Sequence, residues 1–132
     1  VEDWHLVRHF KAIEFNKPEY MDEDLIFELD TLREFLGRPI KISASFAESG
    51  HSKDSQHYKG FAADIKCEGL HPIDFFVAAL RFKFNGIGLY PWGIHVDTRI
   101  LRNGEYKAFW CQIGGVYKPL NRANLAHFLT LF

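Results

Sequence analysis

Only two cysteines, Cys67 and Cys111, occur in the 132 residues, too few for a disulfide framework. Neither stands in a Cys-x-x-Cys or Cys-x-x-His pair, which argues against a structural zinc site built on thiolates. They are expected as partly buried free thiols, with pairing through the fold as the alternative. An excess of one charge is missing too. The formal net charge is -1, which leaves no electrostatic footprint for nucleic acid or an anionic membrane. No apolar run approaches the roughly 18 residues that a membrane span needs. Val1-Glu2-Asp3-Trp4 is acidic where a signal peptide would be basic. The chain also opens without an initiator methionine, which points to processing or excision. Repeats, linkers and low-complexity stretches are absent, as is any long exposed apolar stripe. One domain, residues 1–132, and a monomer are therefore expected.

What is present fits a globular fold. Hydrophobic residues make up 47% and charged residues 25%, ordinary proportions for a core of this size. The 13 Phe promise an aromatic-rich interior. The clearest helix opens at Asp22, an N-cap with Glu23 and Asp24 in the first turn. Leu25, Ile26, Leu29, Leu32, Phe35 and Leu36 form its apolar face, and Gly37 with Pro39 stops it. A looser helical spacing from Trp4 to Phe15 predicts a short N-terminal helix or turn. His71-Pro72 opens another helix through Ile73, Phe76, Val77, Leu80 and Phe84, ended by Asn85-Gly86. Strands are expected at 40–46, at 61–67, on both sides of the Pro91-Trp92-Gly93 turn, and at 106–113. Asn103-Gly104 signals a hairpin turn between strands, and residues 121–131 a terminal helix. Helices and strands mix without regular alternation, so the class is α+β, a small mainly antiparallel sheet packed against helices.

Chemistry concentrates in two stretches. Ser55-x-His57-x-x-Gly60-x-Ala62-x-Asp64 sets a histidine and an aspartate around a glycine and small residues. Gly93-Ile94-His95-Val96-Asp97-Thr98-Arg99 adds a second histidine on a strand. A catalytic zinc typically takes three ligands from His, Asp or Glu and keeps a fourth position open. His57, Asp64 and His95 would supply that set. Side chains alternate along a strand, so His95 and Asp97 share a face. Asp97 is therefore a candidate to accept a proton from metal-activated water, or else a carboxylate standing behind the ligand or pairing with Arg99.

These motifs, joined to Gly86-Ile87-Gly88-x-Tyr90-Pro91 and His95-Val96-Asp97-Thr98, resemble the zinc D-Ala-D-Ala carboxypeptidases, peptidase family M15. The nearest branch is that of the small cell-wall enzymes and phage endolysins. The Hedgehog signalling domain shares the metal framework. The likeness runs over about residues 8 to 112. It implies one Zn2+ held by His57, Asp64 and His95, and peptidoglycan stem peptides as substrate, cut beside a D-amino acid at the cell wall. It also implies Ser55 as a substrate contact, unless its hydroxyl merely caps the turn. Tyr90 and Trp92, with Trp110, would form an aromatic wall for sugar or peptide, though core packing explains Trp110 as well; His51 and Glu48, on the loop before the motif, would line the cleft or simply be solvated. Two departures stand out. Many members carry an acidic residue three before the second histidine, where this chain has Trp92, which leaves Asp97 as the candidate base. A Ser-Gly-Tyr-Arg-like segment is replaced by Ser43-Ala44-Ser45-Phe46. Without that arginine, cleavage within a stem or cross-link fits better than release of a C-terminal residue. A binding module that keeps the metal for structure is the rival reading.

Overall fold

The computed structural model describes residues 1–132. Helix α1 spans Glu23–Leu36 and begins as its sequence predicts, with the Asp22 carboxylate accepting the Leu25 N–H. Gly37 adopts the left-handed conformation (φ 62°) and its N–H closes on the Arg33 carbonyl, the usual glycine exit from a helix. Leu25, Ile26, Leu29 and Leu32 are completely buried. Burial of a side chain of this kind is worth about 1.5–3 kcal/mol, which makes α1 the main brace of the core.

The N-terminal stretch is three single 3-10 turns, at Trp4–Leu6, Ala12–Glu14 and Pro18–Tyr20, with no α-helix. Its backbone is engaged elsewhere: the buried Asp30 carboxylate on α1 accepts the N–H groups of Arg8 (2.9 Å) and His9 (2.8 Å). Val7, Phe10 and Phe15 reach the core while Leu6 and Ile13 stay in solvent.

Six strands form one sheet: β1 Lys41–Ala44, β2 Ala62–Lys66, β3 Gly86–Tyr90, β4 Gly93–Asp97, β5 Ala108–Ile113 and β6 Val116–Pro119. Their order is β1-β2-β4-β3-β5-β6, and every pair is antiparallel except β3 with β5. Two further helices, α2 Pro72–Ala79 and α3 Arg122–Leu129, complete an α+β fold.

Three sequence expectations change here. The turn at Asn103-Gly104 joins no hairpin, because both edges of β4 are already taken by β2 and β3. The chain crosses over instead, and β5 adds to the outer edge of β3 in parallel. The real hairpin turns at Gly114-Gly115, both at positive φ, and carries β6, which the sequence reading passed over. Helix α2 ends before Phe84. The next stretch is drawn to the sheet, where Asn85 N–H donates to the Asp97 carbonyl and Ala108 N–H to the Asn85 carbonyl, both at 2.8 Å.

Alternation along the strands separates two faces. Ala63, Ile65, Ile87, Leu89, Ile94, Val96 and Cys111 belong to the buried core shared with α1, α2 and Phe128 of α3. The opposite face carries Asp64, Gly88, His95 and Trp110 in one register row across β2, β4, β3 and β5. Strands β3 and β4 are buried on both faces, so the polar residues of that row lie under cover.

Candidate metal centre

Asp64 and His95 sit directly opposite each other on β2 and β4. His57 arrives from the single 3-10 turn Gln56–Lys59, which Ser55 caps by accepting the His57 N–H. Gly60 ends that turn at φ 73°, and a Cβ there would stand 1.9 Å from the Tyr20 carbonyl oxygen. Only glycine satisfies both the backbone angle and that contact. The sequence motif between His57 and Asp64 is thus the means of swinging the chain from the turn into β2.

Each histidine has one ring nitrogen fixed from behind. His57 Nδ1 lies 2.8 Å from the Ser45 carbonyl oxygen, which can only accept, so Nδ1 carries the proton. His95 Nε2 lies 2.8 Å from Asp97 Oδ2 and donates to that carboxylate. The other nitrogens, His57 Nε2 and His95 Nδ1, face Asp64 Oδ1 at 3.2 and 3.0 Å. One atom from each of the three residues lies within 4.8 Å of the others. Two imidazole nitrogens and a carboxylate converging on one point could hold a metal ion, and the outward bonds are of the kind that set ligand tautomers.

The electrostatics agree. Burial by itself would raise the Asp64 carboxyl, but hydrogen bonds with His57 and His95 outweigh it and hold the group well below the ordinary carboxylate range. Burial opposes a charge on His95, yet its bonds to Asp64 and Asp97 raise the ring's pKa on balance. Two carboxylates flanking one imidazole call for positive charge between them, and a cation would answer that demand as a proton does.

For Asp97 the sequence leaves two readings, a proton acceptor in the cleft or a carboxylate behind the histidine and paired with Arg99. It is completely buried, and both of its oxygens are occupied. Oδ1 accepts from Arg99 Nε (2.8 Å) and from the Arg99 backbone N–H (3.1 Å). Oδ2 accepts from Arg99 Nη2 (2.7 Å) and His95 Nε2. Burial pushes this carboxyl up, and the bonds from Arg99 and His95 bring it down to about 2. That arrangement suits a carboxylate that grips the His95 ring from behind and pairs with Arg99.

The Gly86-x-Gly88 motif finds its reason on the same face of the sheet, Gly88 beside His95 and Gly86 beside Asp97. A Cβ on Gly86 would come within 2.3 Å of the Asp97 carboxylate, and one on Gly88 within 2.5 Å of the Trp110 indole. The two bare positions make room for the side chains of neighbouring strands. Trp110 consequently lies against His95, ring centroids 5.1 Å apart.

These residues floor a cleft of about 660 Å³, a volume suited to a small ligand or a few peptide residues. Along one wall Tyr90 stacks on Trp92 (4.7 Å, 25° between planes) and Trp110 Nε1 donates to the Tyr90 hydroxyl at 3.0 Å. Arg99 lies over the Trp110 ring and lines the cleft together with Gln112 and Tyr117. The facing wall is the polar loop, from which Ser55 and His51 line the cleft. His51 stacks on His57 at 4.2 Å, and its backbone is clasped by the Tyr58 hydroxyl, which accepts from its N–H and donates to its carbonyl. Burial, and then His57, lower the His51 pKa. Glu48 is not on the wall; it pairs with Lys17. The sequence reading has His51 as a loop residue at the cleft or in solvent, and Arg99 only as a partner for Asp97; both line the cleft. It sets Trp110 with Tyr90 and Trp92 as an aromatic wall, and the three line the cleft together.

Against known proteins, no family model matches the chain. Among curated proteins it is similar to the peptidoglycan L,D-endopeptidase MepK of Escherichia coli, at 29% identity over 109 residues. The same protein of Shigella flexneri matches equally. The match covers 71% of this chain and 58% of the relative, so the chain spans little more than half the length of those proteins.

Proposed function

We propose that residues 1–132 form one zinc-dependent peptidase domain that hydrolyses peptide bonds in peptidoglycan stem peptides or their cross-links. The observation that carries this reading is the convergence of His57 Nε2, Asp64 Oδ1 and His95 Nδ1 at the bottom of a cleft, with both histidine tautomers set from outside. The similarity to a peptidoglycan endopeptidase supplies the substrate class. Two histidines and a carboxylate suit zinc, and three protein ligands leave a position free.

When bound, zinc supplies Lewis-acid polarisation of a carbonyl and a water acidic enough to attack at neutral pH. The protein's own groups divide the remaining work. Asp97 keeps the proton on His95 Nε2 and so keeps Nδ1 available. The Ser45 carbonyl does the same for His57. Trp92 and Tyr90 offer a flat apolar wall on which a stem peptide can lie, and Ser55 completes the opposite rim. The position of Phe46 removes the arginine that would favour a free C-terminal carboxylate, so an internal bond is the expected target. The place of action is the cell wall, in the periplasm or outside the cell, and the working form is a monomer.

Digestion of purified sacculi by the zinc-loaded protein, with mass analysis of released fragments, tests the proposal. New peptide termini should appear, vanish with a chelator, return with zinc, and be absent for His57→Ala. Intact sacculi at full zinc occupancy would sink it.

A second reading, a binding module that retains zinc for structure, draws on the burial of Asp97 and on Trp92 standing where an acid would be. It predicts that the zinc-loaded protein sediments with sacculi and releases nothing.

A further inference from the structure

Tyr90 differs from the other residues of the aromatic wall in how its polar end is treated. It lies on the cleft face of β3, two residues beyond Gly88, which is paired with His95 on one side and Trp110 on the other. Because Gly88 has no side chain, the Trp110 indole settles over that position and against the His95 ring. The Tyr90 hydroxyl leans back to meet the indole, accepting the Trp110 Nε1–H at 3.0 Å. The phenol oxygen is thereby held beside the tryptophan that touches the ligand histidine. Its ring is fixed by the stack on Trp92.

A phenol has one hydrogen to give. The indole donates to the Tyr90 oxygen, so that hydrogen points elsewhere, and the Tyr117 hydroxyl is near enough to take it. Tyr117, an exposed side chain of β6, lines the same cleft, and a substrate oxygen entering there would displace it from the Tyr90 hydrogen. Tyr90 is only 8% exposed, and burial raises its pKa well above the ordinary tyrosine value. The hydrogen therefore stays on the oxygen throughout the neutral range. The result is an oriented O–H donor in the same cleft as His57, Asp64 and His95.

We propose that the Tyr90 hydroxyl is a catalytic hydrogen-bond donor to the oxygen of the scissile carbonyl as that oxygen gains charge. This rests on the peptidase reading above and adds a residue to it. In the step concerned a water oxygen bonds to the carbonyl carbon and the carbonyl π pair moves onto its oxygen. The Tyr90 hydrogen remains on Tyr90 and bonds to that oxygen. On collapse the C–N bond breaks, and the amine departs with a proton that came from the attacking water. A donor fixed before the charge develops needs no reorganisation at that moment, which is how oxyanion-holding groups act.

Zinc-loaded Tyr90→Phe protein tests this with a cross-linked muropeptide as substrate. Loss of one such donor lowers kcat by about 10²- to 10³-fold, and KM and zinc stoichiometry should barely move. A phosphinate analogue of the stem peptide, which mimics the charged tetrahedral oxygen, should bind Tyr90→Phe more weakly by a similar factor. Trp110→Phe is the second variant. It leaves the phenol in place but untethered, and should lose less activity than Tyr90→Phe. Wild-type kcat in Tyr90→Phe, equal phosphinate affinity in both proteins, or activity lost together with zinc would each overturn the assignment. A wild-type protein inert on all muropeptides marks instead the failure of the peptidase reading itself.

Discussion

Nε2 of His95 stands 2.8 Å from Oδ2 of Asp97, two residues along the same strand, and Arg99 grips the other edge of that carboxylate. One buried anion thus fixes the ring on one side and balances a guanidinium on the other. Asp97→Asn should weaken zinc binding by about 10- to 100-fold, the usual cost of losing a partner behind a histidine ligand. Competition with a colorimetric chelator measures this. Unchanged affinity with hydrolysis abolished would return Asp97 to the role of base.

Gly88→Ala should destabilise the fold by about 1–3 kcal/mol, as inserted methyl groups do in filled space, because its Cβ meets the Trp110 indole at 2.5 Å. Gly86→Ala should cost at least as much, since it presses on the Asp97 carboxylate. Urea melts of the two variants give the values. Wild-type midpoints for both would mean that the neighbouring side chains yield without penalty.

Zinc at a hundredfold excess over its dissociation constant should add about 2.7 kcal/mol to the folded state by mass action. His57→Ala should show far less of this gain. Calorimetric melts of both proteins, with and without zinc, check the prediction; equal gains would place the ion elsewhere.

Both cysteines are buried and free. Burial raises the thiol pKa of each, with Arg38 near Cys67 and Lys118 near Cys111 offsetting it in part. A raised pKa means less thiolate at any pH below it, and the thiolate is the reactive form. A disulfide reagent at pH 8 should therefore label the native protein slowly and the urea-unfolded protein at once. Fast labelling of both thiols in the native state would contradict their burial.

The parts of the fold written in local terms were legible from the chain. Asp22, Gly37 and the apolar face between them define α1, and Pro91-Trp92-Gly93 marks the β3–β4 turn. His71 caps α2 as read, accepting the Ile73 N–H with its ring. The remainder depends on distant partners. Nothing near Asn103-Gly104 reveals that β4 has no free edge, and the Ser45 carbonyl that orients His57 is a backbone atom with no sequence signature. His57, Asp64 and His95 were legible as a candidate metal set from residue types joined to the family resemblance, and the three side chains do converge. Whether Asp97 faced the cleft or lay behind His95 turned on where Arg99 came to rest, which alternation along a strand does not decide.

The register row that carries Asp64, His95 and Trp110 also has a bearing on the order of folding. Asp64 and His95 are 31 residues apart in sequence and meet only when β2 pairs with β4. Pairing of that kind is non-local and slow compared with forming a helix. A nascent or refolding chain therefore cannot present the three donors together until its central strands have closed. On the proposed zinc reading, ion capture would then be a late event, and zinc uptake during refolding would serve as a clock for completion of the sheet.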